Sequence, residues 1–290
     1  MKRKTLNCRG RLVCIEKPMV MGIVNVTPDS FYDGGSYLTE TELLKRCENI
    51  IAEGGDIIDV GAVSTRPGAQ DVDATEELRK LHWALDLIRK NFPDELISVD
   101  TYRADLAKIA VENYGVDIVN DISAGTLDAR MFETIAALNV PYVLSHIRGT
   151  PPNMQKEPVY ENIMENIIVH FSEYVHRLHN LGVKDIIIDP GFGFGKTIEH
   201  NYEILRHLSD FDIFELPVLV GLSRKAMIYN LLETDALHAL NGTTAANTLA
   251  LLGGADILRV HDVKEAVECV KIEQMYKVIQ PVRACFQLHY

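Results

Sequence analysis

Polar side chains that can bind ligands follow a series of short apolar runs in this chain of 290 residues. Asp, Asn, Ser and Thr often cap the helix that follows a strand, so one such residue alone indicates little. The set includes several acids, arginines and a lysine, which favours a ligand-binding surface. Its members are Asn25, Asp29, Ser64, Thr65, Arg66, Asp100, Asn120, Asp121, Ser145, His146, Arg148, Asp189, Ser223, Arg224, Lys225, Arg259, His261 and Asp262.

Three of these residues are suited to the edge of a flat heterocycle. Asp100, Asn120 and Asp189 offer several acceptor oxygens and one amide donor pair. A ring that carries N–H and exocyclic NH₂ groups needs this combination of partners. We expect the three side chains to bind such a ring.

A second group is suited to phosphate. Arg66, Arg259 and His261 can contact phosphate oxygens, and Asn25 beside them offers an oxygen ligand that suits Mg²⁺. Lys225 follows Gly-Leu-Ser and is expected near both groups. Its ammonium would link the ring to the reacting centre.

Two polar loops, 27–36 and 62–72, follow early apolar runs and contain several Gly and Pro residues. They are typical of lids that exclude water when they close. Phe194 lies between two glycines, and this setting favours an aromatic wall for a flat ligand over a core residue.

Four apparent motifs do not hold. Residues 190–197 resemble a phosphate-binding P-loop, but Pro190 stands where its first glycine is required, and the glycine spacing does not fit a dinucleotide site. His176 and His179 are more typical of a solvated helix face than of a metal site. No nucleophile elbow supports a triad of Ser145, His146 and Asp189.

Eight apolar runs alternate with eight helical segments, which predicts repeated βα units. The runs are 20–26, 56–61, 96–100, 117–121, 142–146, 186–189, 218–222 and 257–260. The helical segments are 40–52, 74–90, 104–113, 129–138, 160–181, 201–208, 225–231 with 243–252, and 263–278. A complete count of eight favours a closed (β/α)8 TIM barrel over an open doubly wound sheet, with all strand ends at one face.

Residues 6–15, with Arg-Gly-Arg at their centre, predict a β-hairpin that plugs the far end of the barrel. We therefore divide the chain into a hairpin extension at 1–18, a barrel domain at 19–282 and a tail at 283–290.

The composition limits which binding partners and which cellular compartment are expected. A net charge of −12 without a basic cluster argues against nucleic acid and anionic membranes, and no apolar run is long enough to cross a bilayer. Five scattered cysteines, none in a Cys-x-x-Cys pair, favour a reducing, cytoplasmic compartment.

The chain resembles the dihydropteroate synthase family from about residue 21 to residue 272. The resemblance rests on several motifs in the same order rather than on one. They are MGIVNVTPDSFYDGG, DIIDVGAVSTRPGA, ISVDT, IVNDIS, SHIRGTPPNMQ, IIIDPGFGFGKT, LSRK and ILRVHDVKEAV.

The resemblance implies a TIM-barrel transferase of folate biosynthesis. It would join 6-hydroxymethyl-7,8-dihydropterin diphosphate to 4-aminobenzoate and release pyrophosphate, with Mg²⁺ as cofactor and a homodimer formed through the late helices. Catalytic roles fall on Lys225, Asp100 and Asp189, and the Mg²⁺ ligand is Asn25. The implied substrate-binding positions are Thr65, Arg66, Asp100, Asn120, Asp189, Phe194, Ser223, Lys225, Arg259 and His261.

Two features set this chain apart from the family pattern. Ala62 and Val63 replace a glycine and a glutamate in the second loop, which puts the anchoring of that loop in doubt, and Ser145 stands where methionine is common. Two rivals stay open. A methyltetrahydrofolate methyltransferase shares the barrel but should lack the Ser-Arg-Lys segment. A non-catalytic pterin-binding barrel should not retain Asn25, Lys225 and His261.

Overall fold

The computed structural model describes residues 4–26, 39–62, 73–149 and 158–278. The strands are β1 (Lys4–Cys8), β2 (Arg11–Ile15), β3 (Met19–Asn25), β4 (Ile57–Gly61), β5 (Leu96–Asp100), β6 (Ile118–Asp121), β7 (Tyr142–Ser145), β8 (Ile186–Asp189), β9 (Leu219–Val220) and β10 (Ile257–Val260). The α-helices are α1 (Glu40–Ala52), α2 (Ala74–Asn91), α3 (Ala104–Tyr114), α4 (Met131–Leu138), α5 (Ile163–Asn180), α6 (Ile198–Arg206), α7 (Ala226–Tyr229), α8 (Leu240–Leu252) and α9 (Val263–Val278). A 3₁₀ helix, Leu208–Phe214, follows α6.

Strands β3 to β10 form a closed parallel barrel. Each strand from β3 to β8 pairs with the next, and β10 pairs with both β3 and β9. The remaining gap is closed by a parallel bridge between Ile188 and Val218, where the Ile188 amide donates to the Pro217 carbonyl at 2.9 Å. The prediction of a closed (β/α)8 barrel, rather than an open doubly wound sheet, is thus confirmed.

Side-chain caps explain where α1, α5 and α6 begin. Thr39 and Glu42 form a capping box at the start of α1. Asn162 accepts from the Glu165 amide, so α5 begins three residues later than predicted. Thr197 accepts from the His200 amide, so α6 begins three residues earlier than predicted. Both differences arise because a cap is a local hydrogen bond that apolar periodicity does not register.

The N-terminal hairpin closes the far end of the barrel, as predicted. Strands β1 and β2 pair antiparallel through a turn at Arg9 and Gly10, both with positive φ. Leu6 and Cys8 of the hairpin are buried against a layer of inward-facing apolar residues, which we call the apolar layer. It consists of Met19, Met21, Ile57, Leu96, Ile118, Val143, Ile187, Leu219 and Ile257.

The barrel interior becomes polar one step above the apolar layer. Because side chains alternate along a strand, the residue two positions after each member of this layer also faces inward. Six of these residues are polar: Asp59, Ser98, Asn120, Ser145, Asp189 and Arg259. They lie towards the carboxyl ends of the strands, which we call the mouth of the barrel, and they are the floor on which the candidate site is built.

Some predicted features fall outside the described residues. These are the loop 27–36, the loop 62–72 apart from buried Ala62, and the tail 283–290. Among the helices that the structure describes, none has the length and apolar character to span a membrane.

The hairpin plug makes a testable contribution to stability. Leu6 is 1% exposed and Leu12, on the same hairpin, is 67% exposed. Leu6→Ala should lower the free energy of unfolding by about 3 kcal/mol, since it leaves a cavity in the apolar layer. Leu12→Ala is the matched control and should change it by less than about 0.5 kcal/mol. Urea unfolding measures both, and equal effects would mean that the hairpin does not complete the core.

Candidate active site at the mouth of the barrel

A bridged ion pair lies at the centre of the mouth. The Arg259 guanidinium, at the end of β10, donates from Nε to Asp59 Oδ2 and from Nη2 to Asp100 Oδ2, each at 2.6 Å. Asn120 Nδ2 donates to the same Asp59 oxygen at 3.3 Å. One arginine therefore links strands β4, β5 and β10, and Asn120 adds β6.

Asp59 is a site residue that the sequence analysis missed. It is fully buried in the middle of β4, with apolar neighbours on both sides in the sequence. The signal was present, since a carboxylate inside a buried apolar run needs a partner. The partner is Arg259, 200 positions later in the sequence, so only the closed barrel identifies it.

Asp100 has an unusual protonation equilibrium. Burial raises its pKa to about 7, against the lowering effect of Arg259, and the nearby Asp59 charge raises it further. Two buried carboxylates share one guanidinium here, so they compete for a single positive charge. Asp100 can therefore exchange a proton near neutral pH.

Asp189 ends β8 on another part of the mouth. Its Oδ1 accepts from the Gly191 amide at 2.8 Å and its Oδ2 accepts from Ser145 Oγ at 3.3 Å. Gly191 has a φ of +70°, and a Cβ there would lie 1.9 Å from the His146 carbonyl. This turn therefore needs glycine, and it aligns the backbone that holds the Asp189 carboxylate.

Lys225 is half-buried rather than freely exposed at the mouth. Its Nζ donates to the Phe192 carbonyl at 2.5 Å and lies 4.5 Å from the centroid of the Phe194 ring. Burial lowers the pKa of Lys225 to about 8, while Asp189 and Asp100 favour the charged form. The half-buried Phe194 ring, predicted as an aromatic wall, thus makes a cation–π contact with the Lys225 ammonium.

Ser223 and His261 form a separate pair. Ser223 Oγ lies 3.0 Å from His261 Nδ1 and accepts from the His261 amide at 3.1 Å. Arg46 of α1 donates to the His261 carbonyl at 2.7 Å. Arg224 is bound by both carboxylate oxygens of Asp262, which ties the segment that carries Ser223 and Lys225 to the end of β10.

The structure groups the predicted ring-binding and phosphate-binding residues differently from the sequence analysis. Arg259, predicted for phosphate, is bound to Asp100, which was predicted for the ring, and to Asp59, which was not predicted. Asn25 is half-buried at the end of β3, beside Gly61 of β4 in the sheet register. Thr65 and Arg66 lie outside the described residues.

Residues of the rejected P-loop, triad and histidine motifs have other partners or none in the described part of the chain. Lys196, which would be the phosphate-binding lysine of a P-loop, donates to three backbone carbonyls. His146 Nδ1 is buried without a partner in the described part of the chain, so it does not complete a triad with Ser145 and Asp189. His176 lies on the exposed side of α5 and contacts Asn180.

Comparison with known proteins gives the family of this site. The model of the pterin binding enzyme family matches residues 21–261. The chain belongs to this family of pterin-binding enzymes. The dihydropteroate synthase of Escherichia coli is 39% identical over 269 residues, which cover 92% of this chain and 94% of the relative.

Two solved structures are similar throughout. The Yersinia pestis dihydropteroate synthase, in a sulfonamide drug complex, superposes with a TM-score of 0.90 at 38% identity and covers 95% of this chain and 100% of its own. The Xanthomonas albilineans dihydropteroate synthase with 4-aminobenzoic acid has a TM-score of 0.87 at 34% identity, covering 96% and 100%. Within its family, the chain is thus grouped with transferases that act on the pterin methylene group.

The guanidinium that Asp59 and Asp100 share leads to a prediction about the pKa of Asp100. In Asp59→Asn, a neighbouring negative charge is removed and the competition for Arg259 ends. The pKa of Asp100 should therefore fall, by on the order of one unit. Difference infrared spectroscopy of the protonated carboxyl measures it, and Asp100→Asn assigns the band.

Asp105→Asn is the control, because Asp105 is an exposed acid that pairs with Arg130. It should leave the Asp100 titration unchanged. An unchanged midpoint in Asp59→Asn as well would mean that the two carboxylates do not compete.

Proposed function

We propose that this mouth condenses 6-hydroxymethyl-7,8-dihydropterin diphosphate with 4-aminobenzoate to give 7,8-dihydropteroate and pyrophosphate. One observation carries the assignment of roles: the Lys225 ammonium lies against the Phe194 ring, in the electrostatic field of Asp100 and Asp189. A flat ring that enters there meets an aromatic wall, a cation and acceptor oxygens together. The Xanthomonas relative has 4-aminobenzoic acid bound, which supports the second substrate.

The pterin edge would be held by Asp100, Asn120 and Asp189. Asp189 is placed to accept from ring N–H and NH₂ groups, and Asn120 provides an amide that can both donate and accept. Asp100, with a pKa near neutrality, can hold or release a proton as the ring requires. These contacts fix the orientation of the pterin methylene group relative to the mouth.

The reaction is a substitution at that methylene carbon. The bond from carbon to the diphosphate oxygen breaks and its electron pair leaves with pyrophosphate. The ring, beside the acids, stabilises the positive charge that develops on the methylene group. The aminobenzoate nitrogen then supplies the electron pair for the new C–N bond and loses one proton. Since that nitrogen is already a nucleophile, positioning contributes more than general base catalysis.

The leaving diphosphate would be bound by His261, which forms a pair with Ser223, and by Arg259. Arg259 uses Nε and Nη2 for Asp59 and Asp100. Its Nη1 makes no hydrogen bond with the described residues, so it can donate to a phosphate oxygen without breaking the bridge. By their resemblance to family positions, Thr65 would contribute to the diphosphate site, and Arg66, with Ser223 and Phe194, would contribute to the 4-aminobenzoate side.

Mg²⁺ would be held at this site as an ion shared with the substrate. The described residues contain no group of three His, Cys, Asp or Glu side chains placed to hold a metal. Mg²⁺ commonly uses one or two protein oxygens together with substrate phosphates and water, and the half-buried Asn25 amide offers one such oxygen. When bound, the ion would neutralise charge on the leaving diphosphate.

The proposed activity is tested by pyrophosphate release. The full chain, Mg²⁺ and the pterin diphosphate should release pyrophosphate in proportion to added 4-aminobenzoate, with dihydropteroate formed in equal amount. Lys225→Met should lower kcat/KM by about 10²-fold, because it removes the cation beside the reacting ring. Lys184→Met, an exposed lysine before β8, is the matched control. Pyrophosphate release without coupling to aminobenzoate would contradict the proposal.

We further propose a cytoplasmic homodimer formed through α8 and α9. These helices pack against each other, and both leave large apolar side chains exposed. They are Leu249, Leu252, Ile272, Met275 and Tyr276, with exposed fractions of 48–68%. Adjacent exposed apolar residues are typical of an interface between subunits.

The dimer is tested by a charge at this face. Ile272→Asp should convert the dimer to a monomer, because two like charges would be buried in the symmetric interface. Leu12→Asp, at a similarly exposed leucine of the hairpin, is the control and should stay dimeric. Light scattering after size exclusion gives the mass of each. A monomeric wild type would rule the dimer out.

A further inference from the structure

Lys196 is a buried cation to which the proposed reaction assigns no role. It is 3% exposed and lies between the loop that follows β8 and the N-cap of α6. It makes no ion pair among the described residues. Burial lowers the pKa of Lys196 to about 7, while Asp189 favours the charged form and Lys225 opposes it. A buried lysine of this kind is costly unless its three N–H groups are satisfied.

Three backbone carbonyls satisfy them. Nζ donates to the Gly191 carbonyl at 2.8 Å and to the His146 and Phe194 carbonyls at 3.1 Å each. Three carbonyl oxygens directed at one point repel each other, and a lysine ammonium, with three donors and no acceptor, matches them. Lys196 thus joins the end of β7 to the loop Pro190–Gly195.

The two segments are in close backbone contact at this point. A Cβ on Gly191 would lie 1.9 Å from the His146 carbonyl, and a Cβ on Gly195 would lie 2.4 Å from the Arg148 carbonyl. No side chain fits between the segments at either glycine. The Lys196 ammonium is the group that bridges them by hydrogen bonds.

The loop held by Lys196 makes three contacts to the candidate site. The Gly191 amide donates to Asp189, the Phe192 carbonyl accepts from Lys225, and the Phe194 ring faces the Lys225 ammonium. A shift of this loop would move all three together. Lys196 itself donates to backbone carbonyls rather than to a group that faces the substrate.

We propose that Lys196 is a positioning residue, which sets the loop Pro190–Gly195 so that Asp189, Lys225 and Phe194 meet the pterin ring. The inference rests on the proposed function for the identity of that ring. The effect of Lys196 on the site is transmitted through the loop, so removal of Lys196 should lower the contribution of Lys225 to kcat/KM.

A double-mutant cycle tests this transmission. Lys196→Met keeps the length of the side chain and removes the ammonium. It should lower kcat/KM by about 10²-fold in the wild-type background but by less than about 3-fold in a Lys225→Met background. Lys184→Met, the same change at an exposed lysine, should have no effect in either background. Equal losses from Lys196→Met in the two backgrounds would overturn the proposal.

Hydrogen exchange separates positioning from a general loss of stability. In Lys196→Met, amide exchange should rise in residues 190–197 and at the end of β7, and stay unchanged in α2 and α3. A rise throughout the barrel would contradict a positioning role. If Lys196→Met does not fold, Lys196→Gln, which retains two N–H donors, takes its place with the same expected pattern and a smaller loss.

The two proposals fail in different ways. A wild-type chain without aminobenzoate-dependent pyrophosphate release contradicts the proposed function, whatever the exchange data show. An active wild type whose Lys196 variants keep full activity, or show exchange changes spread over the barrel, contradicts the inference about Lys196 alone.

Discussion

The arrangement of the mouth depends on one shared cation. Arg259 reaches from β10 to Asp59 on β4 and Asp100 on β5, and Asn120 on β6 joins the same cluster. Breaking a buried pair of this kind costs about 3–5 kcal/mol, because it leaves an uncompensated charge. The cluster therefore requires β10 to pair with β3, since that pairing brings Arg259 beside the strands that carry its two carboxylates.

The apolar layer and the hairpin support this cluster from below. Nine apolar side chains fill the barrel at the level beneath the polar residues, and Leu6 with Cys8 seals them from solvent. Water cannot reach the charged cluster from that side. Burial is also the largest cause of the shifted pKa values of Asp100 and Lys225. The core thus determines the protonation of the site as well as its shape.

Two lysines that contact the loop Pro190–Gly195 have different tasks in this scheme. Lys225 presents its ammonium to the aromatic wall beside the mouth, and Lys196 directs its own at backbone carbonyls behind the loop. Both cations converge on the loop Pro190–Gly195, whose glycines permit its close approach to β7. The second charge is tolerated because three carbonyl dipoles replace its lost hydration. The loop between them is held from both sides, so few conformations are open to it.

The sequence by itself determined the barrel, its plug and most of the mouth. Alternating β-branched runs and amphipathic helices are local patterns, and in a parallel barrel their polar ends must converge, so Asp100, Asn120, Asp189 and Lys225 could be predicted. Only the tertiary structure decided the partners. Asp59 looked like part of a core strand until β10 brought Arg259 to it from 200 positions away. The lysine of an apparent phosphate loop was buried by the turn at Gly191. Ion pairs and burial are set by distances in space, which periodicity along a chain does not contain.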